Sequence, residues 1–274
     1  MSWNYVKSGT VGPVLVCLHG VGGNANAFAP QLSGLSDAVQ VWSLDIAGYG
    51  KTAPLLVMDW DHLVTGLKQF LDHHKLHNVY LLGHSFGGML AQAFAAKYAD
   101  DLAGLILYST SAAFGSNDGE FQKQFIEARL KPLNHGCSMA QLAAKLIDPL
   151  LAQPSQPQVR KVAIEHMAQV PNNTYRQAIQ CISLFDCRDN LPHLKLPTLL
   201  LAGAVDQMAS PLMMQRLASK IEGSKLCILP NAGHLANLEQ AHLFNQQVSN
   251  FIALSTNIEK HTHTSHKKGA LHAT

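Results

Sequence analysis

The sequence predicts an α/β protein, a mostly parallel sheet flanked by helices and interrupted once by a helical insertion. Three observations lead there. Short apolar, β-branched runs alternate with longer helical patterns along most of the chain, as parallel sheets with helical crossovers require. That alternation breaks once, between about Phe114 and Asn190, where no strand is evident. With 274 residues, 47% hydrophobic and 14% charged, the chain can bury one large core and has neither a disordered nor a fibrous composition.

The strands are expected at Val14 to Leu18, Val39 to Leu44, Val79 to Leu82, Leu105 to Tyr108, Thr198 to Ala202 and Leu226 to Leu229. Helical patterns fall between them around Trp60 to His74, Phe86 to Tyr98, Leu212 to Ile221 and Glu239 to Leu254. Within the interruption, Phe121 to Leu130, Met139 to Leu150, Val159 to Val170 and Tyr175 to Phe185 form four helical runs separated by Pro and Gly signals. The organisation expected is a core from residues 1–113 and 191–255, a helical cap from 114–190, and a disordered tail from 256–274. His261, His263, His266 and His272 make the tail histidine-rich, which is read as solvated chain and not as a metal site.

A net charge of +2 without a basic stripe or acidic run gives no footprint for nucleic acid. The N-terminus lacks the pattern of a secretory signal, and no apolar stretch reaches the ~18 residues that a bilayer span needs. The five cysteines, Cys17, Cys137, Cys181, Cys187 and Cys227, are odd in number and lack zinc-like spacing, so a reducing, cytoplasmic setting is expected. The oligomeric state leaves no mark in the sequence.

Gly83-His84-Ser85-Phe86-Gly87 follows an apolar strand and opens a helical run. A G-x-S-x-G element in that strand-turn-helix context is a nucleophile turn: side chains at Gly83 and Gly87 would collide, and Ser85 is held with its Oγ exposed at the carboxyl edge of the sheet. The competing reading is a tight turn whose serine caps a helix. The amide of Phe86, at a helix N-terminus, is one candidate donor to a developing oxyanion. The second is the amide of Val21, in the glycine-rich loop His19-Gly20-Val21-Gly22-Gly23 that ends the first long strand. That loop fits neither a dinucleotide fingerprint nor a P-loop.

A serine hydroxyl needs a neighbouring base, and the base needs an orienting group. Of fifteen histidines, His234 lies between the last predicted strand and the last helix, in Pro230-Asn231-Ala232-Gly233-His234. Asp206, just past the strand Thr198 to Leu201, reaches the same edge. Asp45, in Asp45-Ile46-Ala47-Gly48-Tyr49-Gly50, is read as a turn residue and not a second catalytic carboxylate.

These segments together resemble the α/β-hydrolase superfamily from Val14 to Leu254, and the chain order Ser85, Asp206, His234 matches that fold. Ala232 to Gln240 is similar to the carboxylesterase and enol-lactone hydrolase branch. Carbon-carbon bond hydrolases of related sequence often carry Trp near the histidine, where Leu235 and Ala236 stand here, and the serine sets the chain apart from dehalogenases and epoxide hydrolases, which use Asp.

The resemblance implies acyl transfer to Ser85 with His234 as base, on a small, mostly apolar ester, with no metal or organic cofactor. The alternatives are an enol-lactone or carbon-carbon bond hydrolase of aromatic catabolism, or a ligand-binding member of the fold without turnover. Phe114, Phe125, Met139 and Phe185 are the candidate pocket residues, with Phe121, Met167 and Leu184 as further apolar candidates. Arg129, Lys131, Arg160, Lys161 and Arg176 are cations that could hold a substrate carboxylate or simply be solvated.

Overall fold

The computed structural model describes residues 3–115 and 119–269, with side chains as far as 256. Seven strands form one sheet: β1 (Tyr5–Ser8), β2 (Val14–Leu18), β3 (Gln40–Leu44), β4 (Val79–His84), β5 (Leu102–Tyr108), β6 (Thr198–Gly203) and β7 (Lys225–Leu229). Their spatial order is β1-β3-β2-β4-β5-β6-β7, with β1 antiparallel to β3 and every other pair parallel. The order reverses at β2, so the loops leaving β2 and β4 diverge there. In open α/β sheets such a switch point forms the binding crevice.

The central strands are buried on both faces, and their side chains alternate between two cores, as the two-residue period of a strand demands. Val16, Leu18, Leu81, Leu105 and Leu107 point to one face, packed by α2 (Trp60–His73) and α3 (Phe86–Tyr98). Leu15, Cys17, Leu82, Ile106 and Tyr108 point to the other, packed by α1 (Ala29–Gly34) and the last helix. α3 follows β4 directly and is apolar nearly all round. Phe86, Leu90, Ala91 and Phe94 are fully buried.

After β5 the chain leaves the sheet for four helices, α4 (Glu120–Asn134), α5 (Met139–Leu146), α6 (Pro157–Ala168) and α7 (Asn172–Ser183), before returning at β6. A short antiparallel neck closes the insertion: Phe114 N donates to Phe185 O at 2.9 Å and Cys187 N to Ala112 O at 2.8 Å. α5 carries a full capping box, in which Ser138 and Gln141 satisfy each other's main chain. The chain then runs through α8 (Pro211–Ala218), between β6 and β7, to α9 (Ala236–Glu239) and α10 (Ala241–Gly269).

Three features differ from the sequence-based expectation. β1 is an additional strand; it is a half-polar edge element, with Lys7 over the Trp42 ring, and carries no buried apolar run to announce it. α1, six residues long, lies below the length at which periodicity is readable. The last helix is divided at Gln240 and its backbone continues to Gly269, past the expected start of the tail, because extending an anchored helix orders only one residue per added hydrogen bond. The side chains of the expected tail beyond 256, including its four histidines, and residues 270–274 lie outside the described residues. Among the described residues, no helix is long and apolar enough to cross a membrane. The five cysteines are free thiols.

Candidate active site

Ser85 stands between the last residue of β4 and the first of α3 with φ 50° and ψ −111°, a conformation that L residues avoid. The surrounding turn enforces it. A Cβ at Gly83 would lie 2.3 Å from Gly87 O, and one at Gly87 would lie 2.2 Å from Leu18 O, so both positions exclude any side chain. Main-chain bonds then lock the serine from both sides: its amide donates to Tyr108 O at 2.9 Å, and Thr110 Oγ1 donates to its carbonyl at 2.8 Å. Strain held this way keeps the Ser85 side chain directed into a cleft without relaxing.

Asp206 follows β6 and His234 follows β7, and the two side chains meet: His234 Nδ1 lies 2.9 Å from Asp206 Oδ2, with both groups buried. The other carboxylate oxygen accepts from the amides of Met208 and Ala209 at 2.8 and 3.0 Å. Burial pushes the Asp206 carboxyl up, but the charge and hydrogen bond of His234, aided by the Ala209 amide, outweigh it and hold the carboxyl well below the ordinary range. An ionised carboxylate only accepts, so Nδ1 carries the proton of this bond, and Nε2 is the nitrogen left free to accept.

The loop holding His234 is fastened from several directions. Its amide donates to Leu150 O at 2.7 Å, and its carbonyl accepts from Tyr108 Oη at 2.8 Å and from His84 Nε2 at 2.9 Å. Glu239 reaches back from α9, accepting from Gly233 N at 2.7 Å with one oxygen and from Ala152 N at 2.6 Å with the other. Burial raises the Glu239 carboxyl, and these two amides oppose the rise. The His84 ring stacks on Tyr108 at 4.4 Å; burial, reinforced by His234, drives its basicity far down, so it stays neutral.

The oxyanion candidates, the amides of Val21 and Phe86, donate to no acceptor within the protein among the described residues. The loop carrying Val21 is shaped by His19, whose Nδ1 donates to Gly20 O at 2.8 Å while Nε2 accepts from Ile46 N at 3.1 Å. Burial lowers the His19 ring to about 4, keeping it neutral in this role. Asp45 braces the neighbouring turn by accepting from Ala25 N, Asn4 Nδ2 and Lys51 N, and it lines no part of the cavity.

Ser85, Val21, Phe86 and His234 open into one cavity of about 740 Å³ between the sheet edge and the insertion. Phe114 and Phe125 line it, as do Phe121 and Met167. Met139 and Phe185 do not, which corrects the expectation from sequence. Phe185 is turned into the core against Trp60, with ring centroids 4.8 Å apart, and Met139 at the start of α5 is buried in the same core. Leu184 is 79% exposed and faces solvent. An apolar helical stripe supplies a helix's own packing before it supplies a pocket, and sequence alone does not separate the two uses. Glu239, His84 and Tyr108 were not identified from sequence, because the partners named here are main-chain atoms, most of them distant along the chain. Among the described residues, no cluster of His, Cys, Asp or Glu suited to a metal is present.

With this geometry in place, comparison with known proteins adds the following. A sequence model described as the alpha/beta hydrolase fold matches residues 13–241. The chain is 27% identical to 3-oxoadipate enol-lactonase 2 of Acinetobacter baylyi, over 89% of this chain and 91% of that one. It is 26% identical to the biotin biosynthesis bifunctional protein BioHC of Cellvibrio japonicus, covering 90% of this chain but only 49% of that protein. Among solved structures, a thermophilic esterase from Thermogutta terrifontis superposes with a TM-score of 0.84 at 27% identity, covering 92% of this chain and 93% of that one.

Proposed function

Since the chain belongs to the alpha/beta hydrolase fold family, we propose that it is a serine hydrolase acting on the ester bond of a small carboxylic ester, with Ser85 as nucleophile, His234 as base and Asp206 as its orienting acid. The observation that carries this reading is the buried His234–Asp206 pair, whose imidazole opens on the same cavity as the strained Ser85. Esters are the bond class named for the enol-lactonase and the esterase among its relatives. An enol-lactone is itself an internal ester, so the same groups would serve it.

In the mechanism, His234 Nε2 takes the proton of Ser85 as Oγ attacks the carbonyl carbon. The oxyanion settles against the amides of Val21 and Phe86, which have no other acceptor and are aided by the α3 dipole. His234 returns its proton to the departing alcohol, and water then attacks the acyl-enzyme by the same route in reverse. The helical insertion acts as a cap, and its largely apolar wall accepts the body of the substrate.

The test is hydrolysis of p-nitrophenyl esters of increasing acyl length, with Ser85→Ala as control. The expected result is turnover that falls by at least about 10³-fold in the variant, with a length optimum set by the cavity. Turnover that survives Ser85→Ala would remove the nucleophile from this account, and a folded wild type inactive on every ester would favour a carbon-carbon substrate or a binding role.

A further inference from the structure

The cavity wall contributed by the insertion holds a pair of groups that acyl transfer at Ser85 does not employ. Arg129, on α4, lines the cavity. The other insertion cations singled out from sequence are engaged elsewhere: Arg160 with Asp148 at 2.6 Å, Lys131 with Glu127 at 3.9 Å, Lys161 with Glu165 at 4.0 Å, and Arg176 with Asn134 and Asn172. Arg129 pairs with no carboxylate among the described residues; its guanidinium stands over the Phe125 ring, 5.3 Å from the centroid. Among the described residues, no aspartate or glutamate lines the cavity, so they supply no counter-charge there.

Tyr175, on α7, lines the same cavity and is fully buried, and among the described residues its hydroxyl donates to no acceptor. Burial pushes this phenol up, while the charge of Arg129 and a hydrogen bond from its guanidinium to the phenol oxygen oppose the push. The group remains a hydroxyl and therefore a donor. A buried hydroxyl left without an acceptor is costly, and an unpaired guanidinium beside an apolar wall is equally in want of one. Both wants are met by the same object.

We propose that Arg129 and Tyr175 form a subsite for a carboxylate borne by the substrate away from the bond that is cleaved. The inference rests on the serine hydrolase reading and narrows its substrate class to esters with a mostly apolar body and one carboxylate. A half-ester of a straight-chain dicarboxylic acid is one such compound, and an acylated hydroxy acid is another. The guanidinium presents paired N–H donors to the two carboxylate oxygens, the tyrosine adds a third, and the apolar surroundings strengthen the pairing by excluding water. A single cation suits a monoanion.

The experiment measures kcat and KM for monomethyl esters of dicarboxylic acids of increasing length against methyl alkanoates of matching length. A second series compares O-acetyl ω-hydroxy acids with alkyl acetates, which places the carboxylate on the alcohol side. The expected result is a kcat/KM at least about ten-fold higher for the charged member in one series, carried mainly by KM. Arg129→Ala should abolish that ratio, Arg129→Lys should restore part of it, and Tyr175→Phe should reduce it several-fold. Because the readout is a ratio within each variant, a general loss of activity does not imitate the effect. Equal or better hydrolysis of the neutral members in both series, or a ratio that survives Arg129→Ala, would overturn the subsite while leaving the serine hydrolase intact. Failure of the wild type to cleave any ester in a Ser85-dependent manner would overturn both.

Discussion

The turn that carries Ser85 and the loop that carries His234 meet at one cavity, but they are held by different means. The serine turn is determined by residues within a few positions of it and by the backbone it crosses. Gly83 and Gly87 leave no room for a Cβ, and the chain has one way to pass from β4 to α3. The histidine loop has no such local compulsion. It is placed by Leu150 and Ala152 in the insertion, by Glu239 in the next helix, and by Tyr108 and His84 from the central strands. The position of Ser85 thus follows from steric exclusion in a short turn and the strand ends it crosses, whereas that of His234 also draws on contacts with the insertion. The insertion therefore does more than cover the site.

The local half of this comparison is broken most severely by Gly87→Ala. The new Cβ would meet the carbonyls of Leu18 and His19, main-chain atoms at the end of a buried central strand that has nowhere to move. We expect a destabilisation above about 4 kcal/mol and a Tm lower by roughly 10 °C or more. Thermal unfolding followed by circular dichroism would decide it. A variant that melts like the wild type would mean the turn is compliant and that Ser85 is held by something else.

The distant half is sharpened by Glu239→Gln, which keeps size and shape but faces one of the two amides with an NH2 group instead of an oxygen. Either Gly233 or Ala152 loses its acceptor, and a buried amide without one costs about 1–3 kcal/mol. Since Gly233 directly precedes His234, the proposed base, we expect kcat to fall about ten-fold with KM little changed, and Tm to fall by a few degrees. An unaltered kcat alongside a lowered Tm would show that the clasp stabilises the protein without setting the histidine.

The same difference explains what was legible in the sequence. β2 and α3 are found at the residues expected, because a continuous apolar run and the Gly-x-Ser-x-Gly element are local signals read by local physics. Asp206 and His234 were readable only because strands of a parallel sheet end at one edge, so a residue just past a strand has a known address. Glu239 was not readable. It stands in a segment whose resemblance to a hydrolase branch was plain, yet its partners are amides, which leave no trace in residue type. Met139 and Phe185 misled for a related reason, since apolar helical residues look alike whether they face a ligand or each other. Arg129 could be named among five cations, but what distinguishes it from Arg160 or Lys131 is that no carboxylate among the described residues stands opposite it, and that is a fact of packing.

The two regions are also joined by a titratable group. His84 comes from the serine turn and donates to the carbonyl of His234, and burial keeps its ring neutral in the folded protein. His19, which shapes the Val21 loop, is lowered to about 4 for the same reason. A histidine in the unfolded chain takes up its proton near pH 6.5, so below that pH the unfolded state binds more protons than the folded one, and stability falls as pH falls. The loss from His19 runs from about 6.5 to about 4, and that from His84 begins at the same point and continues to its own lower value. Glu239 works in the opposite sense, since its raised carboxyl takes up a proton earlier in the folded state, and Asp206 adds its own loss only below the ordinary carboxylate range. With these two imidazoles, and the His74 and His166 rings that burial also lowers, set against one raised carboxyl, Tm should decline from about pH 6.5 downward. His84→Gln, whose amide can still donate to His234 O but does not titrate, should make that decline shallower. A decline as steep in His84→Gln as in the wild type would locate the acid sensitivity in groups other than the link between the two loops.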